Sequence, residues 1–119
     1  MALHELNQDL VKSEQALFEM QKQYPALAKR AAEARYLYDM AWANAIDEIA
    51  HRTLAEGQKP PTVPVQDAMA TKAVAEEMQA AREAEAELDI AKKHIDTLQA
   101  ILSSMQTRSK MYLAEISLK

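Results

Sequence analysis

A single helix-breaking segment divides this sequence into two arms of nearly equal length. The segment reads Gly57-Gln58-Lys59-Pro60-Pro61-Thr62-Val63-Pro64 and contains the only glycine and three of the four prolines of the 119-residue chain. Gly57 suits the left-handed backbone that follows a helix C-terminus, and the prolines impose extended backbone without helical hydrogen bonds. We therefore predict a loop over 57–66.

The arms on either side, about 2–56 and 67–117, both have a helical pattern. Thr62 or Asp67 can cap the second arm. Apolar or small residues recur at alternating steps of three and four, the spacing that aligns one stripe along a helix for pairing with another helix. On the first arm this stripe is Leu3, Leu6, Leu10, Ser13, Leu17, Met20, Tyr24, Leu27, Ala31, Ala34, Tyr38, Ala41 and Ala45. On the second arm it is Ala70, Val74, Glu77, Ala81, Ala84, Leu88, Ala91, Ile95, Leu98, Leu102, Met105, Ser109, Tyr112 and Ile116.

The composition favours the same fold class. The chain is rich in alanine and other good helix formers, and only 5% of its residues are aromatic, which disfavours a sheet. Its length allows one domain, 1–119. Two equal arms with one short connection predict an all-α fold, a long antiparallel helical hairpin resembling a coiled coil.

Pro25 interrupts the first arm. A proline inside a helix removes one backbone donor and clashes with the preceding turn. Because the stripe continues through it, we expect a first arm that is either kinked or in two pieces, with the kink or break near 24–25. The alternative is that residues 2–23 fold back separately and form a three-helix bundle.

Basic residues are concentrated in two segments, 22–35 and 92–119, whereas 39–89 is strongly acidic and the chain as a whole has a formal charge of -4. A hairpin folded about residue 61 or 62 places position n opposite about 123 minus n. Lys29 and Arg30 are then expected to face Lys92 and Lys93.

Such a grouping predicts contact with a phosphate backbone, tolerant of sequence and sensitive to salt. The predicted contacts are Lys29, Arg30, Arg35, Lys92, Lys93, Arg108 and Lys110. The alternative interpretation is solvated helix faces with local ion pairs such as Asp89–Lys93.

Several large apolar residues lie off the main stripe or at its edge. These residues are Phe18, Trp42, Ile46, Ile49, Ile101 and Leu113. They indicate either a broader core, made by bending or by a third helix, or a self-association surface. We predict that the protein is a homo-oligomer that associates through them.

The sequence offers little for catalysis or metal binding. The chain lacks cysteine, which excludes thiol catalysis and Cys-ligated metals. Glu48-Ile49-Ala50-His51 matches one of the two Glu-x-x-His motifs that carboxylate-bridged di-metal bundles use, with Glu76 and Glu77 roughly opposite, but such matches are common in Glu-rich helices. We predict no metal site, no cofactor, no catalytic residues and no enzymatic activity.

No stretch has the pattern of a signal peptide or a membrane span. We therefore expect a cytoplasmic protein without a membrane partner.

Two segments carry a resemblance to known proteins. Residues 24–49, "YPALAKRAAEARYLYDMAWANAIDEI", and 94–119, "HIDTLQAILSSMQTRSKMYLAEISLK", resemble small phage-encoded helical proteins found among recombination and replication genes and, more distantly, phage recombination mediators. The resemblance implies an oligomer that binds single-stranded DNA and helps load a recombinase. It implies DNA contact for Lys29, Arg30, Arg108 and Lys110. The competing hypothesis is a protein-interaction module, either a coiled-coil adaptor or an inhibitor of a host protein.

Overall fold

The computed structural model describes residues 3–57 and 59–118, and these residues form three helices and no strand. Helix α1 is Leu3–Ala55, α2 is Val63–Ala73 and α3 is Ala75–Leu118. The predicted all-α helical hairpin is therefore confirmed. Ala2, where the first arm was predicted to begin, and Gln58 in the loop lie outside the described residues.

The helices pack as two compact units. The terminal unit combines residues 1–26 with 88–119, and the turn unit comprises residues 27–87. In each unit, a segment of α1 packs against a segment of the second arm.

The predicted stripes supply the packing in both units. Every stripe position on the first arm is buried or half-buried, and so is every position on the second arm except Ile116, which is exposed. In the turn unit the fully buried stripe positions are small, namely Ala31, Ala45, Ala70, Val74, Ala81 and Ala84. Small side chains allow two helices to pack closely, since the interaxial distance follows the side chains at the contact.

The register of the hairpin differs from the predicted one. In the terminal unit the Ser13 hydroxyl donates to the Met105 sulfur at 3.6 Å, and those residue numbers add up to 118. In the turn unit the numbers of the cross-arm pair Arg30–Glu87 add up to 117. Position n therefore lies opposite about 118 minus n, and the predicted value of 123 was wrong.

The turn explains this shift. Helix α1 ends at Ala55 and α2 begins at Val63, which centres the reversal on residue 59. Thr62 is the N-cap, with extended backbone (φ -61, ψ 157), and its carbonyl accepts the first helical hydrogen bond from the Gln66 amide at 2.9 Å. Pro64 fits the first turn because no helical partner needs its missing amide hydrogen there. The second arm thus begins four residues before the predicted start at 67.

Helix α1 continues through Pro25, so a first arm in two pieces and the separate folding back of residues 2–23 are both wrong for the described residues. Pro25 is exposed, while Tyr24 and Leu27 beside it are half-buried. The proline ring therefore lies away from the packed stripe, and contacts on both sides of it hold the helix together despite the missing donor.

The second arm has a one-residue interruption that no proline or glycine marks. Val74 separates α2 from α3 with φ -110 and ψ 24. Its amide still donates to the Ala70 carbonyl at 3.0 Å, and its carbonyl accepts from the Met78 amide at 2.9 Å. The series of helical backbone hydrogen bonds therefore continues across Val74.

Gly57 has φ +71, and a Cβ atom added there would meet nothing within 4 Å. We expect Gly57→Ala to lower the free energy of unfolding by about 1 kcal/mol, because a left-handed backbone is unfavourable for an L-residue even without a clash. Gly57→Asn should lose less, since asparagine tolerates this conformation. Urea unfolding monitored by circular dichroism measures both, and equal stability of Gly57→Ala and the parent protein would contradict the expectation.

Candidate interaction surfaces

The cross-arm partner of Arg30 is an acidic residue and not the lysine that the predicted register placed opposite it. The Arg30 guanidinium instead contacts Glu87 of the opposite arm, with an Nη1 to Oε2 distance of 3.0 Å. Pairing of the two arms therefore places a carboxylate, and not a second cation, beside Arg30.

Arg35 is held in a similar way. Its guanidinium lies 3.4 Å from the Asp39 carboxylate and 3.7 Å from the Glu85 carboxylate. It also lies 5.4 Å from the centre of the Tyr38 ring, within the range of a cation–π interaction. These contacts orient Arg35 within the turn unit.

Two of the predicted lysines form pairs along their own helices. Lys93 lies 2.9 Å from Asp89, the pair anticipated from its spacing, and Lys29 lies 4.0 Å from Glu33. Exposed pairs of this kind contribute little to stability, but each places a carboxylate beside the cation.

Three of the predicted contacts, Lys92, Arg108 and Lys110, have no carboxylate within ion-pair distance among residues 3–57 and 59–118. All three lie on α3 in the terminal unit. Lys22 of α1, which the sequence reasoning did not select, has no such partner in the same part of the chain either. Cations without an acidic partner therefore occur in both units, since Lys59, Lys72 and Arg82 of the turn unit also have no carboxylate within ion-pair distance among the described residues.

A shallow apolar groove of about 260 Å³ shows how some of these cations are arranged. Its lining residues are Gln21, Tyr24, Pro25, Lys92 and Ile95. Lys92 of α3 and Pro25 of α1 therefore lie on the same side of the terminal unit.

Phe18 and Lys110 lie on this side as well. Phe18 precedes Pro25 by seven residues, or two helical turns, and Lys110 follows Lys92 by eighteen residues, or five turns. The Phe18 side chain is 64% exposed. Lys22 follows Phe18 by four residues and precedes Pro25 by three, which places it on the same side of α1. We call the surface formed by Phe18, Lys22, Pro25, Lys92 and Lys110 the phenylalanine face.

The surroundings of Phe18 are not uniformly basic. A second groove on α1 is lined by Val11, Glu14, Gln15, Phe18 and Glu19. The positive charge of the phenylalanine face is thus concentrated toward Lys22 and Lys92, on the C-terminal side of the ring along α1.

The predicted self-association residues fall into two groups. Trp42, Ile46 and Ile49 are half-buried and pack against the turn unit's core of Ala45, Ala70 and Val74. The other three, Phe18, Ile101 and Leu113, are exposed in the terminal unit.

The Glu-x-x-His motif has local partners. The Glu48 carboxylate accepts a hydrogen bond from Arg52 at 2.9 Å, and the His51 Nδ1 lies 2.9 Å from the Asp47 carbonyl oxygen. Over residues 3–57 and 59–118, no group of three or more His, Cys, Asp or Glu side chains is arranged to hold a metal ion.

None of the three described helices is long and apolar enough to cross a membrane. Comparison with protein families, with curated proteins and with solved structures finds no match to this chain.

Proposed function

We propose that this protein is a non-enzymatic helical accessory protein that binds single-stranded DNA, in a process such as recombination or replication. The observation that carries the proposal is the phenylalanine face. There, an exposed aromatic ring lies beside lysines that have no carboxylate partner in the described part of the chain.

The lysines and the aromatic ring can bind the two chemical parts of a single DNA strand, its phosphates and its bases. Lysines near the phosphates release bound counterions, which gives affinity that falls with rising salt. An exposed aromatic ring stacks on an unpaired base, and such stacking tolerates any base sequence. Lys92 and Lys110 are separated by about 27 Å along α3, long enough to follow several nucleotides. A duplex keeps its bases stacked on one another, so the ring favours single strands.

The charge distribution of the two units favours the terminal unit as the binding site. It contains seven acidic and seven basic residues, whereas the turn unit contains eleven acidic and seven basic residues. Long-range repulsion from the turn unit should keep DNA on the terminal unit. Recruitment of a second protein by the acidic turn unit is compatible with this arrangement.

A charge-reversal pair tests the role of the unpartnered lysines. We expect Lys22→Glu with Lys92→Glu to weaken binding of a labelled oligothymidylate by more than 10-fold, measured by fluorescence polarisation at about 50 mM salt, because two phosphate contacts become repulsive. The matched control is Lys29→Glu with Lys93→Glu. It makes the same charge change at lysines that already have carboxylate partners, so its loss should be clearly smaller. Equal losses in the two variants would reject the phenylalanine face as the site.

Removing the aromatic ring tests the preference for single strands. Phe18→Ala should weaken oligothymidylate binding by about 5- to 150-fold, since one stacked base contributes about 1–3 kcal/mol. Binding to duplex DNA should change little. The same titrations compare the two substrates, and an equal loss on both would show that Phe18 does not stack on an unpaired base.

A second candidate function is a protein-interaction module, a coiled-coil adaptor or an inhibitor of a host protein. It is favoured by Tyr36, Leu37 and Met40 of α1, which are 63%, 61% and 45% exposed in the turn unit. Apolar side chains grouped on a surface are typical of a partner's docking site. Failure of the parent protein to bind DNA even at low salt would select this function over DNA binding.

A further inference from the structure

Pro25 lowers the stability of α1 without contributing to its packed stripe. It removes a backbone donor from the interior of the helix and crowds the preceding turn. Its side chain is exposed, so the ring is not needed to fill the space between the arms. Residues that act against the local structure in this way are expected at functional sites. The exposed ring lines the apolar groove beside Lys92.

This groove has an apolar floor and a rim that includes a cation. Tyr24 of α1 and Ile95 of α3 are half-buried stripe residues and form the floor. Gln21, Pro25 and Lys92 are exposed and form the rim. The volume of about 260 Å³ lies below the roughly 300–1,000 Å³ of pockets that enclose drug-sized ligands. The groove is therefore suited to a single planar ring system.

We propose that this groove holds an unpaired base of the bound DNA strand, a second base contact besides the one at Phe18, and that Pro25 touches that base. The occupant belongs to the strand of the proposed function, so the assignment rests on that function. Proline and phenylalanine are both among the side chains that insert against bases in protein–DNA complexes. Contact with the face of a base needs no hydrogen bond, so an apolar groove accepts any of the four bases.

Contacts for bases and for phosphates alternate along this side of the terminal unit. Lys22 lies between Phe18 and Pro25 on α1, and Lys92 lines the groove itself. Each nucleotide likewise has one base and one phosphate. Phe18 and Pro25 are about 10 Å apart along the helix axis. Because stacked bases are about 3.4 Å apart, the two bases held can be about three nucleotides apart in the strand.

The charge at the rim favours a nucleotide as the occupant. Among residues 3–57 and 59–118, Lys92 has no carboxylate within ion-pair distance. A nucleotide supplies an apolar face for the groove and an anion for this lysine in one ligand. An apolar side chain of another protein would cover the groove and leave the ammonium group without a counter-charge, which is unfavourable.

Two strands that differ only in their bases test the proposal. One is an oligothymidylate, and the other has the same length and phosphates but is abasic at every nucleotide. In the full chain, Pro25→Ala should weaken oligothymidylate binding by about 5-fold or more, the low end of the effect of one stacked base. Binding of the abasic strand should change by less than about 2-fold, because the phosphate contacts are retained. Fluorescence polarisation measures both affinities.

Gln23→Ala is the matched control for this substitution. Gln23 is exposed on α1 two residues before Pro25 and does not line the groove. This variant should bind both strands as the parent protein does. Urea unfolding of Pro25→Ala must show at least the stability of the parent, so that weaker binding does not come from loss of the fold.

A combined variant removes both base contacts. Phe18→Ala with Pro25→Ala should bind the two strands with nearly equal affinity, since only phosphate contacts remain. Equal weakening of both strands by Pro25→Ala, or no weakening of either, would overturn the base contact in the groove and leave the proposed function standing. A parent protein that binds neither strand at low salt would overturn the proposed function and this base contact together.

Discussion

Pro25→Ala is expected to raise the free energy of unfolding by about 2–3 kcal/mol. Proline in a helix interior is about 3 kcal/mol less favourable than alanine, because it removes one hydrogen bond and crowds the preceding turn. The gain is reduced by up to about 1 kcal/mol, since alanine gives the unfolded chain more freedom than proline. Helix α1 already runs through this position, so no rearrangement is required to form the restored bond between residue 25 and the Gln21 carbonyl.

Urea unfolding monitored by circular dichroism measures this effect, and Gln23→Ala is the matched control. Gln23 is exposed on the same helix two residues earlier, and its replacement should change stability by less than about 0.5 kcal/mol. A Pro25→Ala protein no more stable than the parent would mean that the helix does not continue through Pro25 in solution. DNA affinity of the same variant separately reports whether the groove beside Lys92 needs the proline ring.

The stripes could be predicted from sequence because they depend only on local helix geometry. Ala31, Ala81 and Ala91 are buried at positions that the three-and-four spacing alone selects. Pro25 could not be judged in the same way. The effect of Pro25 on the helix depends on whether its ring faces the packed stripe or solvent. The half-buried Tyr24 and Leu27 place the ring toward solvent, but only if the helix continues through Pro25.

The register could not be predicted because two residues compete to cap the second arm. Thr62 and Asp67 are both good N-caps, and choosing between them moves the centre of the turn. A shift of five in the sum of paired residue numbers changes which charges meet. Arg30 was expected to lie opposite a lysine and instead pairs with Glu87. The DNA-binding site that we propose from the structure is the phenylalanine face.

Ala70→Leu is expected to lower the free energy of unfolding by about 1–3 kcal/mol. Ala70 is 0% exposed and packs in a cluster with Ala45 and Val74. Leucine adds three carbon atoms where the two arms have no free space, so side chains must leave their preferred rotamers or the helices must separate. The expected loss of stability comes from the lack of space between the two arms, because leucine itself is a good helix former.

Ala73→Leu is the matched control for this substitution because Ala73 is exposed on the same short helix. It should leave the stability within about 0.5 kcal/mol of the parent protein. Trp42 is the only tryptophan of the chain and packs against the cluster that contains Ala70. Separation of the arms in Ala70→Leu should therefore expose the indole ring and shift its fluorescence to longer wavelength, while Ala73→Leu leaves the emission unchanged. Unchanged emission together with unchanged stability in Ala70→Leu would show that α1 and α2 are not closely packed at this position. Such a result would contradict the register centred on residue 59 in the turn unit.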